Sequence, residues 1–191
     1  MISDTISHLN EDMRPPPIDR RIWIGSLADY NNGDLLGEWV DVDGKDGDEL
    51  QAEAARILAT SRQPYAEEFA IFDHEGFGGW VEEYTPLGDV AAFAAQMDAA
   101  SDEAAFLAWI NYHGADDLPD DVSDYAERFN EQFRGEMSGE DYAEQFADET
   151  GALENVPSEM AYYIDWKLYF DHVMRNWGYT EHEGYIFAPA E

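Results

Sequence analysis

The 191-residue sequence contains no cysteine and only two lysines, Lys45 and Lys167. The first absence excludes disulfides, thiol nucleophiles and cysteine-ligated metal centres. Cations of either kind are scarce. Ten Lys and Arg stand against 43 Asp and Glu, and residues 63–127 hold 16 acids and no Lys or Arg at all. The net charge of −33 and a pI near 4.1 make nucleic acid and anionic membranes poor partners and basic protein surfaces good ones. No stretch approaches the ~18 consecutive apolar residues of a membrane span. The opening MISDTISHLNEDMRPPPIDR has no basic start followed by an apolar run, so it does not read as a signal peptide. A cytoplasmic protein is expected.

Catalytic signatures are missing too. There is no G-x-G-x-x-G, P-loop, G-x-S-x-G or H-E-x-x-H. His8, His74, His113, His172 and His182 lack zinc spacing, and DHE (73–75) and EHE (181–183) arise by chance in so acidic a chain. Asp41 to Leu50, DVDGKDGDEL, comes nearest to a calcium loop but lacks its ligand order. No catalytic residue, no metal and no cofactor is expected.

What is present is apolar surface. Hydrophobic residues make up 45% and aromatics 14%, too much for a disordered acidic tail. Residues 1–19, polar and ending near RPPP, read as a flexible tail. Ile22 and Ile24 alternating with Trp23 suit a strand. Asn32-Gly33 is a turn, and Leu36 to Val42 a second strand. A helix is expected from Asp48 to Ala59, and a third strand within Glu67 to Gly76. Thr85 and Pro86 open one helix and Ser101 caps the next. Leu118 to Phe133 reads as a helix. Ser138 caps another that Gly151 stops. The last helix is expected from Pro157 to Trp177, with a short strand at YIFAP. The fold class is α+β. The chain divides into an N-terminal α+β domain (20–84), a central helical domain (85–125) and a C-terminal α+β domain (126–191).

The acids are ordered. Wound at 100° per residue, the segment 118–133 puts Leu118, Val122, Tyr125, Phe129 and Phe133 on one face. Asp120, Asp124, Glu127 and Glu131 fall opposite, with Asp121 to one side and Asp116 and Asp117 just before. Glu140, Glu144 and Asp148 form a second row at i, i+4, i+8. Like charges at this spacing repel. Three readings are open: solvated faces, adaptation to high salt, or a surface that imitates DNA. Duplex DNA carries about two charges per base pair, so −33 matches roughly 16 base pairs. On the last reading the partner supplies the missing cations.

Several stretches together resemble the ArdA antirestriction family. IWIGSLADYNNGDLLGEWVDV carries its Tyr-Asn-x-Gly and Gly-x-Trp elements at Tyr30, Asn31, Gly33, Gly37 and Trp39. EEFAIFDHEGF, ETGALENVPSEMAYYIDWKLYFDHV and HEGYIFAP are similar to its later segments. Phe170 stands where the family usually has Arg, beside the retained Asp171. The resemblance implies an elongated, curved homodimer of three-domain subunits, non-enzymatic, that mimics bent B-form DNA. Such proteins occupy the DNA-binding groove formed by the specificity and modification subunits of type I restriction–modification enzymes and protect incoming mobile DNA. The acidic surface would then be Asp116, Asp117, Asp120, Asp121, Asp124, Glu127, Glu131, Glu140, Glu144 and Asp148. The family's dimer contact lies in the C-terminal domain, where Phe133 and Met137 of FRGEM are the candidates. Tyr162, Tyr163, Ile164 and Trp166 read as core. The alternative is an acidic module that inhibits another basic DNA-binding protein.

Overall fold

The computed structural model describes residues 19–114 and 117–190. The expected tail, residues 1–18 of it, lies outside them. The chain is α+β. β1 (Arg21–Ser26) is the middle strand of an antiparallel sheet, between β2 (Gly37–Asp41) and β3 (Phe69–Glu75). A short helix missed in the sequence, α1 (Leu27–Asn31), follows β1, and the expected turn lies just after it at Asn32 and Gly33. α2 (Gly47–Leu58) starts at a capping box: Glu49 N–H donates to Asp46 Oδ1 at 2.8 Å and Asp46 N–H to Glu49 Oε2 at 3.0 Å. α3 (Leu87–Ala99) and α4 (Glu103–His113) follow. Asp102, not Ser101, caps α4, because its carboxylate accepts Ala105 N–H at 2.9 Å.

The helix expected from Leu118 starts late. A 3-10 turn occupies Val122–Asp124, and α5 covers only Tyr125–Gln132. Asp121 explains this, since its carboxylate accepts both Ser123 N–H (2.9 Å) and Ser123 Oγ–H (2.8 Å) and offers the backbone a turn instead. β4 (Phe133–Glu136) then pairs with β6 (Tyr185–Phe187), which pairs with β5 (Thr180–His182). α6 (Gly139–Glu149) is capped by Ser138 as expected, and Gly151 beyond its end has the positive φ of +65° that suits glycine. The expected last helix is in pieces: α7 (Ser158–Ala161), α8 (Trp166–Tyr169), a π-turn at Phe170–Met174 and a 3-10 turn at Arg175–Trp177. Asp165 breaks it by accepting Leu168 N–H at 2.8 Å and restarting the helix there.

The buried apolar residues described form two clusters. The first joins Ile22, Ile24, Val40 and Ile71 of the sheet to α2, α3, α4 and α5 without a gap. Its rings form a relay: Trp80 stacks on Phe93 at 4.2 Å, Phe93 meets Phe106 at 5.6 Å, and Phe106 meets Phe129 at 5.5 Å. Burying one such ring is worth ~1.5–3 kcal/mol. The second cluster is Tyr142, Ala143, Phe170, Met174 and Ile186. Phe170 is fully packed there, against Gly139, so the position read as departing from the family is filled by a core ring. β6 serves both clusters, sending Ile186 into the second and Phe187 into the first.

One ion-pair hub ties the N-terminal edge to the helices. Buried Arg20 reaches Asp43 (2.5 Å) and Asp98 (2.6 Å), and donates to the Ala94 carbonyl at 2.7 Å. Glu103 lies 3.9 Å away.

Candidate acidic binding surface

Every described acid of the two rows is on the surface. Asp117, Asp120, Asp121, Asp124, Glu127, Glu131, Glu140, Glu144 and Asp148 are all exposed, and Asp116 lies outside the described residues. None has an ion-pair partner among the described residues. The late start of α5 corrects the first row. Only Asp124, Glu127 and Glu131 follow the helix, with Asp124 at its N-cap, while Asp120 and Asp121 sit in the preceding segment. The Ser123 amide and hydroxyl hold the Asp121 carboxyl below the usual carboxylate range. The second row is as expected, with Glu140, Glu144 and Asp148 spaced along α6.

Two cations stand among the first row. Arg128 and Arg134 line an open cleft of about 740 Å³ with Asp124, Glu127, Glu131, Tyr179 and Pro189. Arg134 is exposed, and its Nη1 donates to the Glu131 and Phe133 carbonyls at 2.8 and 3.0 Å at the end of α5. It satisfies backbone acceptors there without reaching a carboxylate. Periodicity alone did not place this residue in the surface.

Asp29 is the one buried acid among the described residues. It accepts Ser26 Oγ–H and Ser61 Oγ–H, each at 2.6 Å, and these bonds hold its carboxyl below the ordinary value. Burial and the Arg128 charge push His113 down. Burial pushes the Tyr142 hydroxyl up to about 12.

Phe133 and Met137 are both half-buried and engaged within the chain. Phe133 stacks on Phe129 at 5.1 Å and nears Tyr185 and Phe187 at 6.2 Å, and Met137 packs on the second cluster. The aromatic segment read as core behaves differently. Tyr162 is 86% and Tyr163 79% exposed, Ile164 is half-buried, and Trp166 alone packs on the second cluster. The break at Asp165 turns these residues out, because no continuous helix remains to aim them inward. Met160, Leu168 and Trp177 are also more than half exposed.

The sequence profile of the antirestriction protein family ArdA matches residues 22–187. The chain belongs to the ArdA family. Its function is antirestriction. A search among curated proteins finds no match. Among the described residues no cluster of His, Asp and Glu could hold a metal, and no helix is long and apolar enough to cross a membrane.

Proposed function

We propose that this ArdA protein blocks a type I restriction–modification enzyme by imitating B-form DNA in the groove of its specificity and modification subunits. It acts by occupancy, with no catalytic step, in the cytoplasm where incoming mobile DNA meets the enzyme. One observation carries the reading: the nine described acids of the rows are exposed and none forms an ion pair among the described residues. Surface charge left uncompensated is repelled by its neighbours until a basic partner arrives. Successive row positions on a helix rise ~6 Å per four residues, coarse but compatible with phosphate spacing.

The functional unit is a homodimer. Two chains of charge −33 repel, so they can meet only where charge is least. Residues 155–178 hold three acids against two bases, and expose Val156, Met160, Tyr162, Tyr163, Leu168 and Trp177. That segment, more than Phe133 and Met137, has the free apolar surface a partner chain requires.

The test mixes the protein with a type I enzyme and its DNA, and follows DNA binding and ATP-dependent cleavage over a salt series. The expected result is displacement of DNA that weakens as salt rises. Exchanging Asp124, Glu127, Glu131, Glu140, Glu144 and Asp148 together for Asn or Gln should weaken inhibition by about tenfold or more. Each exposed acid alone is worth only ~0.2–1 kcal/mol. No displacement at low salt would overturn the reading and leave another basic DNA-binding protein as the partner.

A further inference from the structure

The inner face of the first sheet is filled by Ile22, Ile24, Val40 and Ile71, and the register fixes what the outer face presents. Trp23 stands between Trp39 on β2 and Asp73 on β3, and Arg21 between Asp41 and Glu75. Next along, Gly25 pairs with Gly37. A methyl group on Gly37 would come within 2.6 Å of Trp23 Nε1, and one on Gly25 would overlap the Phe72 ring. The two glycines therefore let rings lie down on the sheet. Trp23 meets Trp39 edge-to-face at 5.8 Å and Tyr30 leans on Phe72 at 4.9 Å. Tyr30 is 57% exposed, and the other three rings keep part of their surface in solvent.

Two adjoining positions on this face each offer a ring and a carboxylate, and among the described residues only the first holds a cation. At the first, the Arg21 guanidinium lies 4.8 Å over the Trp39 ring and Arg21 Nε donates to Glu75 at 2.7 Å. A cation is held there between an aromatic ring and a carboxylate. At the second, Trp23 is paired across the strands with Asp73, which is exposed and among the described residues accepts only its neighbour's amide, His74 N–H, at 2.9 Å. No cation among the described residues occupies this second position.

We propose that the Trp23–Asp73 position receives an arginine side chain of the protein partner, as Trp39 and Glu75 receive Arg21. The planar guanidinium stacks on the indole and donates to the carboxylate, a pairing that the compact ammonium of lysine matches poorly. The inference rests on the reading that the partner is a basic protein. It adds a contact that phosphate cannot imitate. The acidic rows supply attraction that salt screens, and ring stacking supplies a share that salt screens little.

The test titrates the full chain with hexa-arginine and, separately, hexa-lysine at about 0.3 M salt, where the Debye length is short. Binding is read on the indole N–H signals of the six tryptophans by NMR, assigned with Trp23→Phe and Trp39→Phe. Hexa-arginine should bind about threefold more tightly than hexa-lysine and move the Trp23 signal most. Asp73→Asn, at an exposed site, and Trp23→Leu should each bring the ratio to about one, with thermal melting to check the fold. Equal binding of the two peptides by the unaltered protein, or a preference that survives Asp73→Asn, would overturn the proposal. DNA displacement by the unaltered protein keeps the two readings apart. Equal binding of the two peptides with displacement intact sinks only the platform, and no displacement with the arginine preference present sinks only the restriction target.

Discussion

The two halves of the molecule spend their apolar residues in opposite ways. The first cluster gathers 23 buried residues around a relay of aromatic rings, under full-length helices and a well-paired sheet. The second has five buried residues, one eleven-residue helix (α6), two helices of four residues, a π-turn and a 3-10 turn. Yet among the described residues six of the eleven exposed large hydrophobics lie between Val156 and Trp177. Helices this short do not hold by themselves in water. Stability is concentrated in one half, and in the other apolar side chains are left outside. Keeping Tyr162 and Tyr163 in solvent forgoes burial energy that a partner surface can recover.

The comparison can be broken first by cutting each core. Phe106→Ala should cost ~3–5 kcal/mol and lower the urea midpoint of the whole chain. Phe170→Ala should destabilise residues 137–187 by a similar local amount, and hydrogen exchange should show β1 and β3 still protected. Equal loss of protection in β1 would mean that the halves unfold as one unit. Next in size, Arg20→Met removes a buried hub of charged hydrogen bonds, and should lower stability by ~2–3 kcal/mol in a urea melt. Asp43 and Asp98 stay solvated, which limits the loss.

Smaller effects sharpen the contrast. Replacing Met160, Tyr162 and Tyr163 by Ser should turn a dimer into monomers in sedimentation, while changing monomer stability by no more than about 0.5 kcal/mol, since all three side chains are exposed. The smallest effect concerns pH. Asp29 is held below its ordinary value first by Ser26 and then by Ser61, so its contribution is full at neutral pH. It is lost as pH falls through the ordinary aspartate range near 4 and below. Thermal melts of Asp29→Asn should show a flatter acid limb than the unaltered chain.

Much of the first half was legible. The alternation at Ile22–Ile24 and the apolar spacing of α2 are local signals, as is the cap at Ser138 in the second half, and local structure obeys them. The exposure of the acid rows was legible for the same reason, because charges without partners stay in water. β4 was not. Phe133 to Glu136 shows no alternation of its own, and becomes a strand only by pairing with Tyr185–Phe187, some fifty residues later. Arg20 was illegible because its three carboxylates come from three separate segments. The helix ends at Leu118 and across Asp165 failed on side chains that bind their own backbone, a competition periodicity does not register.

β6 gives the molecule an order in time as well as in space. A ribosome delivers it after every other described element, yet its neighbouring side chains Ile186 and Phe187 close both clusters. Until it arrives, β4 and β5 have no strand between them, and the ring relay lacks its last member. The growing chain therefore carries both clusters unclosed until β6 arrives. The same self-repulsion that opposes its final compaction keeps neighbouring nascent chains apart while they wait.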